Sequence, residues 1–293
     1  MPVTRRTILT AAALLPFVGV PCAGATPPRF TALPNDRLAE LESRQGGRLG
    51  VAALDTASGR RLDYRADERF ALCSTFKFLA AAAVLHRVDR HQEHLDRRIP
   101  YTRADLLDYA PVTKAHVDEG GMDLSDLCAA AIEWSDNTAG NLLLRELGGP
   151  PAVTRYARSL DDRVTRLDRN EPAVNVVEPG DVLDTTTPAA MLGSMAVLLC
   201  GHALSDDARH HLIGWMLNAK VGQKRLPAGL PPDWRIAHKT GSGAHDEAND
   251  IAILWPPGRA PILAAAYYAP APLRTEAREA TLGEVGRIIA ETL

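Results

Sequence analysis

The sequence predicts an α+β fold in which a sheet lobe built from both ends of the chain encloses an inserted all-helical lobe. Three observations carry this. Near the N-terminus, residues 49–54 and 61–64 are short strand-like runs separated by Ala57-Ser58-Gly59, the pattern of a hairpin. After Pro231-Pro232, residues 235–238, 251–255 and 262–268 read as three further strands. Between them, from about residue 70 to 215, apolar residues recur at helical spacing: Phe76, Leu79, Ala80 and Ala83, then Leu124, Leu127, Ala131 and Trp134. Strands at both ends with helices between them bring the termini into one sheet.

The elements follow in order. Residues 1–25 read as an export signal: Arg5-Arg6 precede an apolar run over 8–20, and Ala23-Gly24-Ala25 offers small residues for cleavage. The adjacent arginines resemble a twin-arginine signal. The run is too short to span a bilayer as a helix and contains Pro16. Pro21 and Gly19 ahead of Cys22 suit a lipoprotein poorly. Residues 26–34 form a Pro-rich arm, and 35–293 form one domain, with the sheet lobe at about 35–68 and 216–293 and the helical lobe at about 69–215. The first helix takes Asn35 or Asp36 as its cap, carries Leu38 and Leu41, and stops at Gly46-Gly47. Further apolar helices are expected around 141–144 and 191–195, and one over 281–293 closes the chain. Residues 166–184, with Pro172 and Pro179, form a polar loop whose length inside a compact domain points to function.

Composition narrows the function. With 46% hydrophobic and 24% charged residues the chain is globular rather than disordered. A net charge of −3 leaves no footprint for nucleic acid or an anionic membrane; a monomer acting on a small-molecule substrate is expected. Removing Cys22 with the signal leaves an odd number of the 4 cysteines, so no disulfide framework is implied. His and Cys lack ligand spacing, so neither metal nor other cofactor is expected. Of 33 basic residues only 5 are lysines, which makes each lysine stand out.

Two of those lysines lie in candidate motifs. Ser74-Thr75-Phe76-Lys77 stands where the helical pattern begins, and a spacing of three puts the hydroxyl and the amine on one helix face. A serine needs a base to become a nucleophile. A buried lysine of lowered pKa can serve, whereas an arginine cannot. Ser135-Asp136-Asn137 follows a helical turn; taken alone it reads as a helix cap. Ser135 is also a candidate proton relay and Asn137 a candidate partner for a substrate amide. Lys239-Thr240-Gly241-Ser242-Gly243 lies on a predicted strand. Lys239 and Thr240 offer a charge and a hydroxyl to a carboxylate, and Gly241 lets a ligand approach the backbone; the alternative is a glycine-rich strand end or bulge. In the 166–184 loop, Glu171 and Asn175 are placed to hold a water, with Glu171 as general base, though alone the segment reads as a polar loop.

Together and in this order, Ser-x-x-Lys, Ser-Asp-Asn, Glu-Pro-x-x-Asn and Lys-Thr-Gly resemble the class A serine β-lactamases. The resemblance extends over roughly residues 35–293, through Tyr109-Ala110-Pro111-Val112-Thr113, Gly148-Gly149-Pro150, Trp215-Met216 and Asn249-Asp250-Ile251-Ala252. It implies a five-stranded antiparallel sheet lobe beside the helical lobe, with the active site between them. Ser74 attacks the lactam carbonyl, the backbone N–H groups of Ser74 and Ser242 receive the oxyanion, Ser135 protonates the lactam nitrogen, and Glu171 with Asn175 directs water at the acyl-enzyme. Lys239, Thr240, Ser242 and Arg225 hold the substrate carboxylate, and Asn137 the side-chain amide. Whether Lys77 or Glu171 takes the Ser74 proton stays open. The resemblance also implies a cis Glu171–Pro172 peptide and an Arg169–Asp184 pair closing the loop.

Two departures stand out. The usual partner position of Cys128 is Ala81, which predicts a free thiol, and Gly243 cannot bridge to Cys73 as in carbapenem-hydrolysing relatives. The rivals are a D,D-peptidase or penicillin-binding protein and a β-lactam sensor. Both lack an efficient deacylation base, which Glu171 and Asn175 supply here, and the sensor further expects a membrane segment.

Overall fold

The computed structural model describes residues 34–178, 180–269 and 274–293. The expected export signal, and the Pro-rich arm up to residue 33, lie outside the described residues. Helix α1 (Pro34–Gln45) opens on Pro34, whose fixed φ suits a first helical turn. Asn35 and Asp36 therefore lie inside the helix instead of capping it. Strands β1 (Arg48–Asp55) and β2 (Arg61–Tyr64) form the expected hairpin. The short β3 (Phe70–Ala71) leads through the turn Cys73–Thr75 into α2 (Phe76–Asp89). Strands β4 (Arg98–Pro100) and β5 (Gly121–Asp123) pair with each other. Helices α3 (Leu124–Glu133), α4 (Asn137–Leu147) and α5 (Pro150–Ser159) follow, and β6 (Thr185–Thr186) then returns to pair with β3. After α6 (Pro188–Leu199) and α7 (Asp206–Leu217) come β7 (Arg235–Ser242), β8 (Ala248–Trp255), β9 (Ile262–Ala269) and α8 (Thr275–Thr292).

Among the described residues the main sheet has five antiparallel strands in the order β2-β1-β9-β8-β7. Strands from both ends of the chain thus form one sheet and helices α2–α7 lie between them in sequence, so the predicted α+β class is borne out. The sheet is buried on both faces. On β9, Leu263, Ala265 and Tyr267 enter the core shared with the helices, while Ile262, Ala264, Ala266 and Tyr268 enter a second core against α1 and α8. This period-two split lets one unbroken apolar run serve two layers.

The helix α2 runs through the first core, and every residue from Phe76 to Leu85 is buried. Its apolar residues surround the axis instead of forming a stripe, as expected of a helix with no wet face. Elsewhere the periodic reading overreached or fell short. Trp134 caps α3 and is 39% exposed instead of joining the core. The last helix begins at Thr275 rather than at 281, because its first two turns are polar and only partly covered. The ribbons β3–β6 and β4–β5 are too short to leave a periodic signal.

Candidate active site

The nucleophile candidate sits at a backbone irregularity. Cys73 has φ +45, a left-handed conformation unusual for a side-chain-bearing residue, and Ser135 and Asp184 are likewise left-handed at φ +60 and +54. Such conformations persist where surrounding contacts impose them, commonly at functional sites. Here Leu72 N donates to Asp184 O at 2.8 Å, and β3 is paired with β6. Strand β7 also lies against the turn. A Cβ on Gly241 would stand 3.1 Å from both Cys73 Cβ and Leu72 O. The glycine therefore admits the nucleophile's own turn, a requirement additional to the ligand approach expected from sequence. The register of β7 with β8 runs unbroken from Arg235 to Ser242, which excludes the bulge alternative.

Ser74 is 7% exposed, and Lys77 one turn along α2 is fully buried. Lys77 Nζ donates to Ser74 Oγ at 2.9 Å, to Ser135 O at 2.8 Å and to Asn137 Oδ1 at 2.7 Å. It also lies 3.0 Å from Glu171 Oε1. Burial lowers the amine below the usual lysine range, against an opposing pull from Glu171. Ser74 Oγ in turn donates to Glu171 Oε1 at 3.2 Å. One hydroxyl thus touches both candidate proton acceptors.

The 166–184 loop delivers Glu171. Its backbone is held on both sides by Asn141 of α4: Glu171 N donates to Asn141 Oδ1, and Asn141 Nδ2 donates to Glu171 O, each at 2.9 Å. Asn175 Nδ2 donates to Glu171 Oε2 at 2.5 Å, while the buried Asn175 Oδ1 has no partner among the described residues. The Glu171–Pro172 peptide is cis, as expected. The neck is closed where the sequence suggested, with Arg169 Nε 2.5 Å from the buried Asp184 Oδ2. Asp184 Oδ1 also accepts from the N–H groups of Asp168 and Arg169 at 2.7 and 3.0 Å. Arg169→Ala is expected to leave this carboxylate short of its cation, at a cost of about 3 kcal/mol, and to loosen the loop. Limited proteolysis should cut it sooner and substrate preference should change; unchanged cleavage and kinetics would contradict this.

The other wall comes from Ser135-Asp136-Asn137 and β7. The cap reading holds for Asp136, whose Oδ1 accepts from Ala139 N at 2.8 Å and whose carboxylate also binds Thr113. Its neighbours Ser135 and Asn137 line the cleft, so the motif is cap and site at once. Lys239 Nζ donates to Ser135 Oγ at 2.9 Å. Burial, with the nearby charges of Lys77 and Arg225, holds the Lys239 amine well below the usual lysine range. Arg225 Nη2 donates to Ser242 Oγ at 2.6 Å, and Nη1 donates to Gly241 O and Asn249 O at 2.6 and 2.8 Å.

These groups surround a cleft of 360 Å³. Of the residues singled out from sequence, all but Lys77, Glu171 and Lys239 line it, and those three are buried beneath its floor. A larger hollow of 520 Å³ lies behind the 166–184 loop and contains none of them. The sequence reading missed Asn141, Tyr109 and Glu279. Asn141 stands one helical turn after Asn137, a spacing that places both on one face. Tyr109 stands in a segment already matched to the family but was given no role there, and Glu279 carries no local signal; the fold brings both to the cleft.

A buried lysine beside a serine that lines the cleft, under a loop-borne carboxylate, defines a serine hydrolase that works through an acyl-enzyme. The chain matches the family model described as the β-lactamase enzyme family over residues 33–293. It is 44% identical over 255 residues to β-lactamase CTX-M-8 of Citrobacter amalonaticus, covering 87% of each chain. It is 47% identical over 266 residues to a β-lactamase of Streptomyces lavendulae, covering 89% of this chain and 87% of that one. An ancestral (GNCA) class A β-lactamase superposes with a TM-score of 0.88 at 57% identity, covering 89% of this chain and 100% of the other. The chain belongs to the β-lactamase enzyme family and is of class A, the serine enzymes that hydrolyse β-lactams and confer resistance to them.

Proposed function

We propose that Ser74 opens the lactam ring of penicillins and cephalosporins and that Glu171 releases the product. The observation that carries this is the contact of Ser74 Oγ with both Lys77 Nζ and Glu171 Oε1. The hydroxyl proton passes to one of these two acceptors as Oγ bonds to the carbonyl carbon. The backbone N–H groups of Ser74 and Ser242 receive the oxyanion. When the C–N bond breaks, Ser135 supplies a proton to the nitrogen and is itself bonded by Lys239. Lys239, Thr240 and Ser242, with Arg225 behind them, hold the substrate carboxylate. Gly241 keeps the strand close to the nucleophile, and Asn137 bonds the side-chain amide. Glu171 then activates a water, for which the unpartnered Asn175 Oδ1 offers an acceptor. Turnover of a chromogenic cephalosporin tests the reading. Many equivalents hydrolysed are expected, whereas one equivalent would make the protein a penicillin receptor.

Substrate preference depends on Ser242. Its oxygen already accepts from Arg225, so its own O–H is free to donate to the carboxylate of a dihydrothiazine ring. Such a charge-assisted bond is worth about 1.5–3 kcal/mol, roughly tenfold to a hundredfold in rate. Ser242→Ala should therefore lower kcat/KM for a cephalosporin by about tenfold or more and for a penicillin by less. An equal loss on both, or none, would remove Ser242 from this role. Carbapenem hydrolysis should be weak, since Cys73 is a free buried thiol facing Gly243; kcat/KM for a carbapenem measures it. Cys128 is free as well, as its missing partner implied. Among the described residues no helix is long and apolar enough to cross a membrane. We assign the mature enzyme to the periplasm or medium as a monomer, exported by the twin-arginine-type signal over 1–25; cell fractionation and sedimentation check this.

A further inference from the structure

We propose that Glu279 sets substrate specificity, favouring β-lactams with a positive charge on the substituent next to the ring carboxylate. The inference rests on the β-lactamase reading above and assigns a residue that none of the four motifs contains. Glu279 stands on α8, and its side chain, 19% exposed, lines the same cleft as Ser74, Ser135 and Ser242. Its Oε1 lies 3.7 Å from Arg225 Nε, beyond hydrogen-bond distance. That Nε is buried with no hydrogen-bond partner among the described residues. The other two nitrogens of Arg225 are committed to Gly241 O, Asn249 O and Ser242 Oγ. Arg225 and Glu279 thus form a long ion pair in which the guanidinium turns its hydrogen-bonding nitrogens into the protein, while the carboxylate keeps its exposed side toward the cleft. Arg278 on the same helix does not cancel this charge, because its guanidinium is paired with Asp246 at 2.7 Å and donates to Thr275 Oγ1 at 2.8 Å.

A substrate carboxylate held by Lys239, Thr240 and Ser242 places the adjacent ring carbon, C3 of a cephalosporin, at this end of the cleft. A substituent there extends along the wall that bears Glu279. A cation on it gains a solvent-screened attraction, and a second carboxylate is repelled.

The test compares two cephalosporins that differ only at C3, one ending in a quaternary ammonium and the other in its neutral isostere. In the native enzyme the cationic-to-neutral ratio of kcat/KM should fall about threefold between about 0.02 and about 0.5 M salt, the size of one screened charge contact. Glu279→Gln should lower the low-salt ratio by about the same factor, through KM more than kcat, and remove its salt dependence. Glu279→Asp, which keeps the charge, should retain the preference. An unchanged ratio in Glu279→Gln, a salt-independent ratio in the native enzyme, or an equal loss on both substrates would overturn the assignment. Equal loss would leave Glu279 only a partner of Arg225. Failure of the native enzyme to turn over either compound would instead remove the proposed cephalosporin hydrolysis on which the inference rests.

Discussion

Replacing Glu171 by Ala is expected to trap the enzyme as a covalent adduct on Ser74, with deacylation slowed by about 10²–10⁴-fold, the usual contribution of a positioned general base. The site should otherwise stay assembled. Asn141 holds the residue by its backbone N–H and C=O, which the substitution leaves in place, and the Arg169–Asp184 neck is untouched. The lost contacts are those of the carboxylate to Ser74, Lys77 and Asn175. Mass spectrometry after brief exposure to a penicillin should show a persistent adduct, and rapid return to the free mass would remove Glu171 from deacylation. The rate at which the adduct forms carries a second result. If Lys77 takes the Ser74 proton, acylation stays near the native rate; if Glu171 does, acylation falls with deacylation.

The chemistry was more legible in the sequence than the geometry that organises it. Ser74 and Lys77 share a helix, so their spacing alone predicts contact. Glu171 reaches the same oxygen from a loop, and nothing local to residues 166–184 foretells that. Its placement depends on β3 pairing with β6, on Leu72 bonding Asp184, and on Asn141 clasping the loop backbone. These are two-residue strands and single polar contacts, below the resolution of any periodicity argument. The strands of the main sheet were readable because β1, β8 and β9 are eight-residue runs rich in apolar residues, while the polar β2 follows a recognisable turn and β7 shows itself in its first four residues. Glu279 shows the opposite limit. It lies in a polar helical turn like many others, and only the packing of α8 against residues 226–229, next to Arg225, makes it part of the cleft.

Lys77→Arg is expected to lower acylation by about 10²–10⁴-fold although it keeps the positive charge. A guanidinium stays protonated at any working pH and cannot accept the serine proton. It also does not fit. A Cβ on Gly140 would stand 2.7 Å from Lys77 Cε, so α4 already presses on the lysine stem and leaves no width for a planar fork. The native amine suits the task because burial has lowered it, which increases the free-base fraction at neutral pH. The sign of the pH dependence follows. As pH falls through the lowered value the amine becomes charged, so acylation by a lysine base declines on the acid side. Glu171 opposes the lowering, and its removal should push the amine down further. The acid limb of acylation in Glu171→Ala should therefore move to lower pH, a shift that single-turnover adduct formation across pH measures. Gly140→Ala tests the steric contact separately: it should displace the Lys77 amine and cost acylation without removing any titrating group. Acylation within tenfold of native in Lys77→Arg, with thermal unfolding showing an intact fold, would exclude Lys77 as the base and leave Glu171, already hydrogen-bonded to Ser74 Oγ, as the acceptor.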